Sequence, residues 1–234
     1  MPHSPTHDRP RPYPRHVAVL GAAGGLGQGI LTVCRDEGIG FTAIVRSRPE
    51  RITNVPSGSR VAVVPSLADR SALTAAFAGA DAVLTALGVT ATSRDPSASL
   101  AANMDAVEQA MIDAGVDRVV VINTLLTSLP GEPAGLAMRF FSWMPGMIGR
   151  GAREQRSVAD ALGRGAWSSR RWTFVRGGLN ARGSDEPPVA SADWDGALNS
   201  WMPVSYRAMG RWMLQEAAAD EFVRAAPLVS RRRR

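Results

Sequence analysis

Three regularly spaced glycines lie where a short apolar run gives way to a helical pattern. Val-Ala-Val-Leu at 17–20 is followed by Gly21, Gly24 and Gly27, and apolar residues then recur at helical spacing from Leu26. The pattern predicts a strand, a tight turn and a helix. Gly21 would permit the turn, Gly24 would let a pyrophosphate approach the backbone, and Gly27 would let the helix pack closely on the sheet. The N-terminus of the helix would also offer free N–H groups and a partial positive charge to the phosphates. The glycine spacing in this strand–turn–helix context therefore favours a dinucleotide site over an ordinary glycine turn.

Two arginines follow the second predicted strand, residues 41–45. The chain there continues Arg46-Ser47-Arg48 without a carboxylate. In dinucleotide-binding folds an acid at this place binds the ribose 2′-hydroxyl, whereas an arginine accommodates a 2′-phosphate. We therefore expect NADP(H) in preference to NAD(H), with Arg46 as the phosphate partner. A solvated loop is the alternative interpretation.

Residue types that the chain lacks limit its chemistry. All 27 basic residues are arginine, so neither a lysine Schiff base nor a Tyr–Lys proton-transfer pair can form. The three histidines lie within residues 3–16, and we expect neither a histidine catalyst nor a metal site in the core. The single cysteine, Cys34, lies on the apolar face of the first predicted helix and is expected to fill the core.

Length and charge indicate one large domain with a small-molecule partner. The chain has 234 residues, 45% of them hydrophobic, and no apolar run long enough to span a bilayer. Without a pattern typical of a secretory signal, we expect a cytoplasmic protein.

The net charge is +6, but the arginines are scattered except at 231–234. We expect no nucleic-acid partner and a solvated basic tail at 231–234, with phosphate or membrane-surface binding as the alternative.

Strand and helix patterns alternate along most of the chain. Residues 1–15 carry five prolines and predict a flexible arm. The alternation over 16–230 predicts a single doubly wound parallel α/β sheet, a Rossmann fold, with right-handed crossovers. The predicted strands are 17–20, 41–45, 61–64, 81–86, 119–122, 172–175 and 226–229, with a loop at 180–200. Ligands bind beyond the carboxyl ends of such strands. We therefore expect one crevice there, lined by the glycine loop, Arg46, Leu87-Gly88 and Asn123-Thr124.

Two segments interrupt this alternation and are expected to form the substrate side of the domain, at about 125–150 and 178–204. Within the first, large apolar residues cluster between Leu136 and Ile148 and are bordered by arginines. The cluster is consistent with a buried helix, a homodimer face or a flexible cover over an apolar substrate, and these alternatives stay open.

The order and spacing of several segments resemble the atypical short-chain dehydrogenases, namely the NmrA-like and the flavin- and biliverdin-reductase-B-like NAD(P)-binding proteins. The resemblance extends over about residues 16–230. The segments that carry it are GAAGGLG (21–27), AIVRSR (43–48), ADRSALTAAFAGADAVLTALG (68–88), AGVDRVVVINT (114–124), WTFVRGGLN (172–180) and PVSYRAMGRWMLQEAAADEFVRAAPLVS (203–230).

The resemblance implies which residues contact the cofactor, from the pyrophosphate through the 2′-phosphate to the nicotinamide. These positions are Gly21, Gly24, Gly25, Leu26, Gly27, Arg46, Leu87, Gly88, Arg176, Gly177 and Gly178. Asn123 and Thr124 are implied near the nicotinamide as the catalytic candidates. Thr124 is the candidate polar group at the reacting centre, because a serine hydroxyl stands close to this place in the reductase-like branch.

Departures from the family pattern narrow the expected activity. The Tyr-x-x-x-Lys pair is absent, which argues against ordinary alcohol–ketone redox chemistry and sugar-nucleotide epimerisation. Ser66 and Ala208 stand where acidic residues are usual in the family, which loosens the match to its nucleotide site. We expect NADPH-dependent reduction of an apolar conjugated, flavin-like or quinone-like small molecule, with the proton taken from solvent. The alternatives are a non-catalytic NADP-binding, NmrA-like redox-sensing regulator and a redox-silent cyclase or isomerase.

Overall fold

The computed structural model describes residues 12–87, 96–192, 198–199 and 203–232. In these ranges the strands are β1 (His16–Leu20), β2 (Gly40–Val45), β3 (Arg60–Val63), β4 (Ala82–Thr85), β5 (Arg118–Thr124), β6 (Arg171–Gly177), β7 (Leu179–Ser184), β8 (Val189–Ser191), β9 (Leu198–Asn199) and β10 (Leu228–Arg232). The helices are α1 (Gly25–Glu37), α2 (Arg70–Phe77), α3 (Met104–Asp113), α4 (Leu136–Trp143), α5 (Gly146–Gly163) and α6 (Tyr206–Ala219).

The sheet is mostly parallel and doubly wound. Its strand order is β3-β2-β1-β4-β5-β6-β10-β8, and every pair from β3 to β10 in that order is parallel. The chain winds outward from β1 to β3 and then returns to place β4 on the other side of β1, so the order reverses between β1 and β4. The predicted Rossmann architecture is confirmed, and such a reversal is the usual place for a ligand.

Alternate side chains of β1 explain why helices cover both faces of the sheet. Val17 and Val19 join the cluster that contains α1 and α6, whereas Ala18 and Leu20 join the cluster that contains α2 and α3. All four are fully or almost fully buried. A strand covered on both sides is apolar throughout, which is why 17–20 shows no polar alternation.

Helix α6 packs so closely on α1 that the two backbones approach each other at glycine residues. A Cβ atom added to Gly29 would lie 2.5 Å from the carbonyl oxygen of Tyr206, and one added to Gly210 would lie 2.9 Å from the nitrogen of Ile30. The hydroxyl of Ser205 caps α6 by accepting a hydrogen bond from the N–H of Ala208 at 3.0 Å. These glycines let α6 bring its first residue up to the start of α1.

Two local predictions are confirmed. The sequence predicts a helix after residue 69, with Asp69 as its N-cap and Leu73, Ala76 and Phe77 facing inward. Asp69 Oδ1 accepts a hydrogen bond from Ala72 N at 2.9 Å and caps α2, and the three apolar residues are buried. Cys34 is buried in the core, where desolvation raises the pKa of its thiol to about 12.

A buried ion pair joins α6 to the amino end of β5. Arg118 Nη2 donates to Glu216 Oε1 at 2.7 Å and to Thr173 Oγ1 at 2.8 Å, and both charged side chains are almost fully buried. Desolvation lowers the pKa of Arg118 to about 10. The pair lies at the edge of the sheet opposite the glycine turn. Loss of Glu216 would leave Arg118 with the partly exposed Asp220, 2.8 Å from its Nε, as its counter-charge.

The carboxy-terminal part corrects two predictions. The expected loop at 180–200 contains β7, β8 and β9, of which β8 and β9 pair antiparallel with β10. Arg231 and Arg232 are strand residues of β10 rather than a disordered tail, and Arg231 lies 3.6 Å from a carboxylate oxygen of Glu186. These strands are held by backbone pairing, which needs no apolar pattern. Residues 1–11 of the predicted arm and residues 233–234 lie outside the described residues.

The segment at 136–148 is not a buried helix. Met138 of α4 is buried, but Leu136, Phe140, Trp143 and Ile148 are exposed. In the part of the chain that the structure describes, no helix has both the length and the apolar character that a membrane span needs.

Candidate functional site

A crevice of about 640 Å³ follows the carboxyl edge of the sheet. Its walls come from the segments that follow β1, β2, β3 and β4 and from the ends of β5 and β6. This volume lies in the range of about 300–1,000 Å³ that ligand sites usually have. The predicted gathering of distant segments at this edge is confirmed for the residues that the structure describes.

The glycine loop presents an uncapped helix N-terminus to the crevice. Gly21 has φ +80°, which confirms the predicted tight turn, and its carbonyl accepts a hydrogen bond from Gly24 N at 3.0 Å. Gly24 is the N-cap of α1, where neither a capping side chain nor an acidic residue of the first turn competes for the N–H groups. Such N–H groups with the helix dipole are suited to an anionic ligand.

Gly25 and Leu26 also line the crevice, but Gly27 does not. A Cβ atom on Gly27 would fall inside contact distance of the Gly21 carbonyl oxygen and the Ala22 α-carbon. Gly27 therefore serves the turn itself, rather than the close approach of α1 to the sheet that its position predicts.

Tyr206, at the first turn of α6, completes this wall and was not predicted. A Cβ atom on Gly25 would lie 2.5 Å from Cε2 and 2.8 Å from Cζ of the Tyr206 ring, and the ring lines the crevice. Its phenol end is consequently close to the N-terminus of α1. The only sequence signal was the N-cap pattern at Ser205, which places Tyr206 at a helix start but not beside Gly25.

The end of the crevice after β2 is rich in guanidinium groups. Arg46, Arg48 and Arg51 line it and are exposed. Arg48 has φ +62°, and this left-handed residue turns the chain into the short 3-10 helix Pro49–Arg51. Among the described lining residues none is acidic. This end can therefore accept a phosphate, which guanidinium groups bind through paired N–H donors.

An apolar wall faces these arginines. Val64, Pro65 and Leu67 follow β3, and Leu87 follows β4 as predicted. Ser66 does not line the crevice, and its hydroxyl accepts a hydrogen bond from Ala68 N at 3.1 Å. Gly88, the other residue predicted here, lies outside the described residues. The wall offers an apolar surface for a flat group such as a nucleobase.

Thr124 and Gly177 are paired neighbours on β5 and β6 at the other end of the crevice, and both line it. Asn123 fixes this end, because its Oδ1 accepts hydrogen bonds from Thr124 N and Thr127 Oγ1, both at 2.7 Å. Its Nδ2 donates to the carbonyl of Gln155 at 3.1 Å. These bonds hold the Asn123 side chain against the Thr124 backbone, and its place near a nicotinamide stays a prediction. Gln155, on α5, also lines the crevice and had no sequence signal.

Arg176 and Gly178 do not line the crevice, which corrects the prediction for this stretch. Arg176 is buried, and its Nε donates to the carbonyl of Ala226 at 2.8 Å. The carbonyl of Gly178 accepts a hydrogen bond from Val204 N at 2.9 Å. Gly177 is the residue of this stretch that lines the crevice, at the position where it pairs with Thr124.

Over residues 12–87, 96–192, 198–199 and 203–232, no group of three or more metal-ligating side chains comes together. His16 lies at the start of β1, away from the crevice, with Nε2 3.0 Å from Thr42 Oγ1. Burial, with a smaller contribution from the charge of Arg60, lowers the pKa of His16. The polar groups of the described crevice wall are therefore guanidinium, hydroxyl and amide groups.

Solved structures share this fold at low sequence identity. A short-chain dehydrogenase/reductase (wide type) from Veillonella parvula in complex with NADP has a TM-score of 0.63 and 20% identity, over 93% of this chain and 94% of that chain. A Rossmann-fold NAD(P)-binding family protein from Shigella flexneri has a TM-score of 0.64 and 16% identity, over 93% of each chain. A proposed NADH-flavin reductase from Streptococcus pneumoniae has a TM-score of 0.63 and 18% identity, over 93% and 99%.

Among proteins with curated descriptions, none matches the chain significantly. A family model described as NAD(P)H-binding matches residues 21–189, from the first glycine of the loop to the start of β8. This match covers more than half of the chain and includes almost the whole crevice wall. The chain therefore belongs to the NAD(P)H-binding family.

Proposed function

We propose that the protein is an NADPH-dependent oxidoreductase of the atypical short-chain dehydrogenase type. Its substrate is an apolar conjugated, flavin-like or quinone-like small molecule. One observation carries the proposal: a single crevice joins the arginines after β2, the uncapped start of α1, and the Thr124–Gly177 pair. The name of the Streptococcus pneumoniae relative supports the choice of a flavin-like acceptor.

The preference for NADPH over NADH rests on charge. Arg46, Arg48 and Arg51 lie at one end of the crevice, and no described residue of its lining is acidic. A 2′-phosphate would find guanidinium donors there, whereas an NADH ribose would find no carboxylate for its 2′-hydroxyl. We assign the 2′-phosphate to Arg46.

The diphosphate belongs at the start of α1. Gly21, Gly24, Gly25 and Leu26 all line the crevice at this point, and the free N–H groups of the first helical turn would bind the phosphate oxygens. Gly27 supports the turn beneath them. Leu87 would line the nucleotide and Gly177 the nicotinamide.

Thr124 is the polar group assigned to the reacting end. When bound, NADPH supplies the hydride from its nicotinamide ring. Asn123 holds the backbone of Thr124, so that the threonine hydroxyl can donate a hydrogen bond to the acceptor. The described lining has neither a carboxylate nor an imidazole to deliver a proton. A conjugated acceptor can take that proton from water, so the hydride and one solvent proton complete its two-electron reduction.

The test is NADPH oxidation by the purified protein with flavins, quinones and enones, followed by the loss of NADPH absorbance. Thr124→Val should lower turnover by about tenfold or more, since it removes a hydrogen bond made at the reacting centre. Thr124→Ser is the matched control and should retain turnover. Tight NADPH binding without turnover of any acceptor would contradict the enzymatic proposal and favour a redox-sensing regulator.

A further inference from the structure

Four large apolar side chains are exposed within residues 136–148, three on α4 and one at the start of α5, and we name them the α4 face. Leu136, Phe140, Trp143 and Ile148 are 83%, 59%, 83% and 49% exposed. In the described part of the chain they are four of only seven exposed large hydrophobic residues. Isolated exposed apolar residues are common, but a cluster of this kind marks an interaction surface.

The geometry of α4 keeps this face outward. Leu136, Phe140 and Trp143 follow the i, i+4, i+7 spacing that aligns side chains on one side of a helix. Met138 is only 1% exposed and packs into the protein. Arg153 of α5 donates through Nη1 to the carbonyl of Ser142 at 2.5 Å, which holds α5 to the end of α4.

The charge around the α4 face is of one sign. No acidic residue occurs between Glu132 and Glu154, whereas Arg139, Arg150 and Arg153 lie in that interval. Arg139 and Arg153 are exposed. A second copy of the chain placed on this face would bring like charges together. Anionic lipid headgroups would neutralise the arginines, while the apolar side chains enter the boundary between headgroups and acyl chains.

We propose that the α4 face docks the protein on an anionic lipid surface. Exposed tryptophan and phenylalanine side chains are suited to this boundary, and the arginines add attraction to negatively charged headgroups. The neighbouring helix α5 carries Gln155, which lines the crevice, so the α4 face and the Thr124 end belong to adjoining elements. The docking itself does not depend on the proposed redox activity.

The full chain should be sedimented with vesicles of phosphatidylcholine alone and with vesicles that also contain phosphatidylglycerol. The wild type should sediment with the anionic vesicles, and binding should weaken as salt is added. Replacing Phe140→Ser and Trp143→Ser together should lower the bound fraction by about tenfold or more. Ile112→Ser is the matched control, because Ile112 is 43% exposed on α3, and it should bind like the wild type.

Three outcomes would overturn the proposal. The wild type could fail to sediment with anionic vesicles, or Ile112→Ser could lose as much binding as the double variant. Gel filtration could instead show that the wild type and Ile112→Ser are dimers and the double variant is a monomer, while none of them binds vesicles. The α4 face would then join two copies of the chain. NADPH binding, measured by calorimetry on the same samples, should be equal in all variants. A wild type that binds vesicles but not NADPH would retain this proposal while contradicting the proposed function.

Discussion

The ring of Tyr206 lies directly against the α-carbon of Gly25. A Cβ atom at Gly25 would be 2.5 Å from Cε2 of that ring, so only glycine fits there while the tyrosine keeps its place. The contact joins α6 to the first turn of α1, where we assign the diphosphate. Residues far apart in the sequence therefore determine together the shape of one wall of the crevice.

Gly25→Ala should weaken NADPH binding by about threefold, because the methyl group displaces the ring of Tyr206, a side chain that can move, from its place in the crevice wall. Adding Tyr206→Ala to this variant removes the clash and should restore part of the affinity. Calorimetry with NADPH measures both variants. Unchanged affinity in Gly25→Ala, with the fold intact by circular dichroism, would show that the Gly25–Tyr206 contact does not shape the binding site.

Arg46→Ala should weaken NADPH by about 10- to 100-fold, the effect of losing a charge-assisted hydrogen bond, while NADH binding changes little. The difference arises because only NADPH carries the 2′-phosphate. Arg164→Ala serves as the control, since Arg164 is exposed and does not line the crevice. Equal losses for the two cofactors would mean that the 2′-phosphate binds elsewhere.

Glu216→Gln should lower the free energy of unfolding by about 1–3 kcal/mol, because the buried Arg118 would keep only Asp220, whose side chain is partly exposed, as its counter-charge. Denaturation by urea measures the loss. The matched control is Glu221→Gln, whose side chain is exposed and should contribute little. If both variants lose the same stability, the buried pair is not what anchors α6 to β5.

Cys34 should not react with a thiol reagent in the native protein at neutral pH. Burial raises the pKa of its thiol to about 12, so the protonated form dominates and the nucleophilic thiolate is scarce. One equivalent should react after denaturation, which a colorimetric thiol assay counts. Rapid labelling of the native protein would contradict the buried placement of Cys34.

Local patterns were sufficient to predict the parallel sheet, the turn at Gly21 and the cap at Asp69. Each depends on neighbouring residues, because strand and helix periods, turn conformations and caps are local properties. The Gly25–Tyr206 contact and the Arg118–Glu216 pair depend on how α6 returns to the sheet, and nothing near those residues in the sequence signals it. Gln155 enters the crevice in the same way, through the packing of α5. The strands β7 to β9 are short or lack an apolar alternation and form by backbone pairing, so no sequence period marked them.

The residues assigned to the nicotinamide end differ in whether they reach the crevice. Arg176, Gly177 and Gly178 were assigned together to that end, yet only Gly177 lines the crevice. Asn123 and Thr124 both line it, and the Asn123 side chain also holds the Thr124 backbone. The family resemblance thus identified segments that reach the crevice, while the packing of each residue decides whether it lines that crevice.

Calorimetric titration of NADPH into the wild type and Gly24→Leu tests most directly whether the cofactor binds at the start of α1. Gly24 has φ −79° and ψ 170°, an extended conformation that leucine adopts without strain, so the added side chain acts by occupying the crevice at the start of α1. We expect NADPH to bind the wild type saturably with 1:1 stoichiometry, and we expect Gly24→Leu to lose this binding. No binding of NADPH or NADH to the wild type, or equal binding to both proteins, would contradict this expectation.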